Sequence, residues 1–348
     1  MRVLVTGSEG YIGAVLRESF VARGHDLIGL DTGYFSDCDF HCAPIDIPVL
    51  QRDLRQVEPE DFHGVDAVVH LAALSNDPLG ALDSDLTDAI NTQGSIRCAE
   101  MAKEAGVERF LFSSSCSMYG AGSSQGLTEE SGFHPQTAYA QSKVDVEATL
   151  QELADDSFSP TYFRNATAYG LSPRLRFDLV VNNLSGWAFT TGQIRMLSDG
   201  SPWRPLVHIR DIAKAFLCAL DAPRESIHNQ SFNVGSNDTN YQIRTIAEMV
   251  GEVFTGCETT FGNSDGDSRT YNVNFDKIHR DLPGFDGIDW PLNRAIRELK
   301  AAFEAMALRD DQFESRLYTR LKQINHLRKS GQIDDRLFWA EAHHAHSE

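Results

Sequence analysis

Short apolar runs alternate along the chain with longer stretches whose apolar positions recur three or four residues apart. The runs RVLVT (2–6), DLIGLD (26–31), AVVHLAA (67–73), FLFSSS (110–115) and PTYFRNA (160–166) read as buried strands. Helical spacing fills about 12–22, 88–105 and 138–153. Apolar strands joined by helices specify an α/β fold with a doubly wound parallel sheet, because parallel neighbours need crossover connections. That regular unit spans 1–170. From 171 to 308 the elements alternate less evenly, which predicts a smaller α/β domain over the carboxyl edge of the sheet. The chain is expected to cross back to the main sheet within it. In the tail, 309–348, Phe313, Leu317, Leu321, Ile324 and Leu327 fall three and four apart. They predict a helical extension with one apolar stripe, packed on the body of the protein.

Composition narrows the class. The 348 residues are 41% hydrophobic and 23% charged, the balance of an ordinary globular chain. A formal charge of −19 disfavours a broad nucleic-acid surface, which needs a positive field. No apolar stretch is long enough for a membrane helix, and no export signal precedes the first strand, so a cytoplasmic location is expected. Cysteines at 38, 42, 98, 116, 218 and 257 are too sparse for a disulfide scaffold. Cys38, His41 and Cys42 lack the further ligands that a metal centre requires, and no metal is expected.

The chemistry begins at GSEGYIG (7–13), between the first strand and the first helix. Gly7 permits a tight turn, Gly10 lets backbone approach a pyrophosphate, and Gly13 lets the helix pack closely on the sheet. The helix start offers N–H groups and a positive dipole end to the phosphates. Asp31 ends the second strand, where a carboxylate suits both ribose hydroxyls of NAD and repels the 2′-phosphate of NADP. The expected cofactor is NAD. FSSSCSMYG (112–120) brings hydroxyls to the end of a buried strand, and YAQSK places Tyr139 and Lys143 on one helix face. A free tyrosine has a pKa of about 10. A nearby ammonium lowers it towards that of a usable base, while Ser115 can hold the reacting oxygen.

The ordered set TGSEGYIG, Asp31, HLAA, SSSCSMYG and YAQSK resembles the extended short-chain dehydrogenase/reductase family, within it the nucleotide-sugar epimerases and dehydratases, over about residues 1–300. The resemblance implies a Rossmann domain holding NAD (1–170), a nucleotide-sugar-binding domain (171–308), and Tyr139, Lys143 and Ser115 as the catalytic trio. It implies further cofactor contacts from Tyr11, Ile12, Asp53, Leu54, Leu71, Ala72 and Ala73, with Lys143 orienting the nicotinamide ribose. It also implies a homodimer through the helices near 88–105 and 138–153. DGSPWRPLVHIRDIAKA resembles the segment whose arginine, here Arg204, grips the substrate diphosphate. VNNLSGWA and GDSRTYNV carry nucleotide contacts onto Asn183 and Tyr271.

Three departures bear on the substrate. Thr167 stands where the family often has an asparagine at the sugar. Asn263, Ser264 and Asp265 occupy the run where a second phosphate-gripping arginine is usual, with Arg269 as its substitute. Ser115–Cys116–Ser117 replaces the Thr-Asp-Glu of 4,6-dehydratases, removing the acid and base that elimination needs. Cys116 is expected to be a small buried residue, and His70 a packed strand residue. Ser75, Ser117, Thr167 and Arg176 are read by no motif and belong to the shape of the sugar pocket. The expected activity is 4-epimerisation of a nucleotide-diphosphate sugar through a transient 4-keto sugar. Its rivals are a 4-ketosugar reductase or another NAD(P)-dependent oxidoreductase on the same scaffold, and a non-catalytic dinucleotide-sensing regulator.

Overall fold

The computed structural model describes residues 1–75, 83–120, 126–196, 198–262 and 270–340. Strands β1 (Arg2–Thr6), β2 (Asp26–Asp31), β3 (Val49–Gln51), β4 (Ala67–His70), β5 (Arg109–Ser115) and β6 (Ser159–Asn165) come first. The chain continues through β7 (Thr167–Tyr169), β8 (Gln193–Met196), β9 (Trp203–His208), β10 (Gln230–Val234), β11 (Asn240–Gln242) and β12 (Glu258–Phe261). Seven of these form one parallel sheet in the order β10-β6-β5-β4-β1-β2-β3. The strand order reverses beside β1, which opens a crevice at the carboxyl edge.

The two faces of β1 show why the sheet is doubly wound. Val3 and Val5 join Leu16, Phe20 and Phe216 on one side, from the helices Tyr11–Ala22 and Ile209–Asp221. Leu4 points the other way, into a cluster with Cys98, Ala99, Val146 and Leu150 from the helices Gly94–Glu104 and Ala138–Leu153. Alternate residues of one strand therefore feed two cores. A third apolar cluster, with Leu184, Ile246, Leu299 and Phe303, holds the later part of the chain together. There β11, β9 and β7 form a small sheet, and β12 pairs with β8. The chain returns to the main sheet through β10, which pairs in parallel with β6.

Two expectations need revision. The run 67–73 is strand only through His70, because the Leu71 and Ala72 N–H groups turn to the Thr6 hydroxyl, each at 3.2 Å. Leu71–Ala73 thereby leaves the sheet at its carboxyl edge. The tail is not one helix but three short pieces, Asp310–Phe313, Arg316–Tyr318 and Arg320–Lys329. Phe313 and Tyr318 pack with Phe177 and Phe303, whereas Ile324 and Leu327 pack with Tyr34 and Leu337. One straight helix cannot reach both clusters, so the apolar stripe is shared between segments of different direction. Helical spacing near 88–105 resolves into a π-helical turn, Asp88–Gln93, and the helix Gly94–Glu104. Among the described residues no helix is long and apolar enough to cross a membrane.

Candidate active site

A cavity of about 790 Å³ opens where the carboxyl edge of the main sheet meets the later part of the chain. Its floor is the glycine loop. Gly7 has φ +70°, and a Cβ there would sit 2.8 Å from the Ala72 nitrogen. A Cβ on Gly13 would lie 2.4 Å from the Gly7 oxygen, so only glycine lets the helix start this close to the strand. No side chain caps the helix Tyr11–Ala22 at Gly10. An uncapped helix start above a glycine cradle, with a carboxylate at the end of the next strand, fits the diphosphate and ribose of a dinucleotide. That carboxylate, Asp31, accepts from the N–H groups of Glu9 at 3.0 Å and Gly33 at 2.8 Å. Burial pushes its pKa up, opposed by the Gly33 N–H and by Arg17 and Arg174.

The residues read as cofactor contacts, Gly7, Gly10, Tyr11, Ile12, Gly13, Asp31, Asp53, Leu54, Leu71, Ala72, Ala73 and Lys143, all line this cavity. Two of them also have structural duties. The buried Tyr11 hydroxyl donates to the Gly170 carbonyl at 2.6 Å and accepts from Asn182 at 3.1 Å, bolting the glycine loop to the chain after β7. The Asp53 carboxylate is engaged by Arg55 at 2.6 Å, and it caps the following turn.

Tyr139, Lys143 and Ser115 face the same space. Thr137 caps the helix Ala138–Leu153, so Tyr139 lies in its first turn and Lys143 one turn later. The Lys143 ammonium donates to the Ser113 carbonyl at 2.8 Å and stands 5.6 Å from the centre of the Tyr139 ring. Burial pulls the Lys143 pKa down to about 7, and Glu147 one turn on opposes that shift. The Ser115 oxygen accepts from the Ser117 N–H at 3.1 Å, which leaves its own O–H to donate. Cys116 turns away, with its thiol donating to the Arg164 carbonyl at 3.1 Å and its pKa pushed up by burial. His70 is packed between Thr6 and Ser95 hydroxyls and stacks on Phe112, and burial pulls its pKa down to about 3.

Ser75, Ser117, Thr167, Asn183, Arg204 and Tyr271 also line the cavity. Asn183 donates to the Phe177 carbonyl at 2.9 Å, and the Arg204 guanidinium lies 5.6 Å from the Tyr271 ring centre. Arg269 falls outside the described residues. Cys38 is buried and Cys42 exposed; among the described residues no three His, Cys, Asp or Glu side chains gather as a metal site.

Of the further wall residues, Ser75 and Arg176 were expected in the sugar pocket, whereas Asp178, Asn165 and Arg320 were not read from the sequence. Arg176 forms an ion pair with Asp178 at 2.8 Å and donates to Ser75 at 2.9 Å, all at the cavity wall. Asn165, beside Ser115 in the β5–β6 register, donates to the Ser113 hydroxyl at 3.0 Å. Arg320 and Ile324 come from the tail. A tail arginine set among the apolar positions of a helical stretch carries no local mark of this, because only the folded path brings it to the cavity.

The model of the NAD-dependent epimerase/dehydratase family matches residues 3–235. The chain belongs to this family. It is an NAD-dependent enzyme of the extended short-chain dehydrogenase/reductase type. This family member is 29% identical over 270 residues to a UDP-glucose 4-epimerase of Corynebacterium glutamicum, covering 73% of this chain and 80% of that one. It is 25% identical to a UDP-glucose 4-epimerase of Bacillus subtilis, covering 86% and 95%. The fold matches TunA, described as an NAD-dependent NDP-hexosamine 5,6-dehydratase, with a TM-score of 0.78 at 20% identity, over 87% of this chain and 98% of that one.

Proposed function

We propose that the enzyme interconverts C4 epimers of a nucleotide-diphosphate sugar. The observation that carries this reading is one cavity holding the glycine cradle, Tyr139 with Lys143 and Ser115, and Arg204 with Asn183. Its neighbourhood also favours epimerisation over elimination. Beside Ser115 stand Cys116, turned towards the Arg164 carbonyl, and Ser117, so the acid and base of a 4,6-dehydratase have no counterpart in that run.

NAD, when bound, supplies the hydride acceptor and donor that inversion at C4 requires. Tyr139 as phenolate takes the proton of the 4-hydroxyl and later returns it. The Lys143 ammonium favours that phenolate, and the Ser115 O–H holds the sugar oxygen through both half-reactions. Arg204 grips the substrate diphosphate, which a planar guanidinium suits, and Asn183 and Tyr271 border the nucleotide. With the diphosphate anchored, the 4-keto sugar turns within the pocket bounded by Ser75, Ser117 and Thr167 and presents its other face. On this reading residues 1–170 serve NAD, 171–308 serve the nucleotide sugar, and 309–348 is an appended segment. The enzyme works as a homodimer through the helices Gly94–Glu104 and Ala138–Leu153, as its family resemblance suggests.

Incubation with UDP- and dTDP-linked hexoses, without added cofactor, tests the reading. A nucleotide sugar equilibrating with its C4 epimer is the expected result. Turnover only with added NADPH, giving a reduced sugar, would replace epimerisation with 4-ketosugar reduction.

A further inference from the structure

The C-terminal segment reaches the cofactor half of the cavity, well beyond the end of the family match at residue 235. Arg320 opens the helix Arg320–Lys329, and the residue is 2% exposed in the wall shared with Gly7, Gly10, Gly13 and Asp31. Its guanidinium lies 4.3 Å from the centre of the Phe35 ring. Nη2 donates to the Arg174 carbonyl at 2.9 Å. Nη1 is buried with no hydrogen-bond partner among the described residues.

The surrounding charges leave Arg320 unmatched. Arg17 pairs with Glu9, Arg174 with Glu9 and Asp39, and Arg176 with Asp178. Asp31 is held by two backbone N–H groups. Burial and the neighbouring Arg176 pull the Arg320 pKa down to about 10, so the group stays cationic at neutral pH. A buried cation without a dedicated counter-ion is unfavourable by itself, and it suits a site whose anion arrives with a ligand. Arg320 lines the cavity together with Asp31, Arg176 and Asp178, close enough to feel the charge of each. It thus shares a cavity wall with the glycine cradle, which suits a diphosphate. The glycine loop there offers N–H groups and no cation of its own.

The segment is also fastened to the loop after β2. Gln323 donates to the Tyr34 carbonyl at 3.0 Å, and Trp339 donates to the Thr32 carbonyl at 2.6 Å. Tyr34 donates to the Leu337 carbonyl, and Arg55 donates to the Arg336 carbonyl at 2.8 Å and stacks on Phe338. Thr32, Tyr34 and Phe35 themselves line the cavity beside Asp31.

We propose that the C-terminal segment straps the cofactor in place and that Arg320 supplies the cation for the dinucleotide diphosphate. The strap acts on NAD whichever reaction follows at the sugar. Full-length Arg320→Gln and Arg320→Lys variants test it, with NAD affinity measured by displacement of fluorescent NADH. Loss of one charge-assisted contact raises the NAD dissociation constant of the Gln variant about 10- to 100-fold, and Lys recovers part of the loss. Unchanged NAD affinity in the Gln variant would overturn the proposal. So would a loss confined to nucleotide-sugar affinity, which would move the guanidinium to the substrate diphosphate. Hydrogen exchange on the unmodified protein gives a second readout: amides in 316–330 gain protection when NAD is added, and equal exchange with and without NAD contradicts the strap.

Discussion

Lys143 and Tyr139 meet across one helical turn, the ammonium 5.6 Å from the tyrosine ring centre and anchored on the Ser113 carbonyl at 2.8 Å. The anchor fixes the charge near the end of β5, in the cavity that the phenol and Ser115 also line. Tyr139→Phe keeps the glycine cradle and removes the proton acceptor. NAD should stay bound while turnover falls by about 10²- to 10⁴-fold, the usual contribution of a placed acid–base group. Cofactor content and conversion rate check this together, and a variant within a few-fold of the parent would reject Tyr139 as the base.

The buried ammonium also makes a statement about stability and pH. Lys143 titrates near 7 in the folded protein against an ordinary 10.5, chiefly because it is buried. Below about pH 7 both states hold the proton, and the folded state carries the full cost of the buried charge. Between about 7 and 10.5 the unfolded chain holds the proton and the folded one releases it, so this group makes stability rise with pH. Denaturation of the dinucleotide-free protein across that range should show the rise, and Lys143→Met should flatten it. An equal slope in both proteins would contradict the assignment.

The helix Ala138–Leu153 is held to the sheet by a second buried charge. Arg164 on β6 pairs with Glu147 at 2.7 Å, their side chains 3% and 2% exposed. Removing one partner strands the other, so Glu147→Ala should cost about 3–5 kcal/mol in urea unfolding. A cost below 1 kcal/mol would show that Arg164 finds sufficient partners in Tyr119 and the Glu129 carbonyl, which it also contacts.

Arg204 lines the cavity beside Tyr271, with its guanidinium 5.6 Å from that ring centre. Its replacement by Gln should raise KM for the nucleotide sugar about 10- to 100-fold, the range of a lost charged hydrogen bond, while the content of bound NAD is kept. A variant that instead loses NAD would place Arg204 on the cofactor.

The glycine cradle and the carboxylate at its edge were legible because their spacing is local. Gly7, Gly10 and Gly13 are forced by backbone approach, and Asp31 must end the adjacent strand, so spacing alone carries both. The main sheet was legible for a similar reason: β1, β4 and β5 are apolar on both faces and stand out as runs. The edge strand β3 has no buried residue and left no such mark. The sugar side depends on residues brought together from distant segments, such as Arg176 with Ser75. The tail was read as one stripe because spacing reports burial without direction, and Phe313 and Ile324 are buried against different clusters. Arg320 was invisible for the same reason.

The central claim is that hydride leaves and returns to the same sugar carbon. The direct measurement is incubation with a nucleotide hexose carrying deuterium at C4, with no added cofactor, followed by mass spectrometry and proton NMR of the products. The expected result is both C4 epimers with deuterium retained at C4 and no net change in the redox state of bound NAD. An oxidised sugar accumulating with stoichiometric NADH, or an epimer that has exchanged its deuterium for solvent hydrogen, would contradict it.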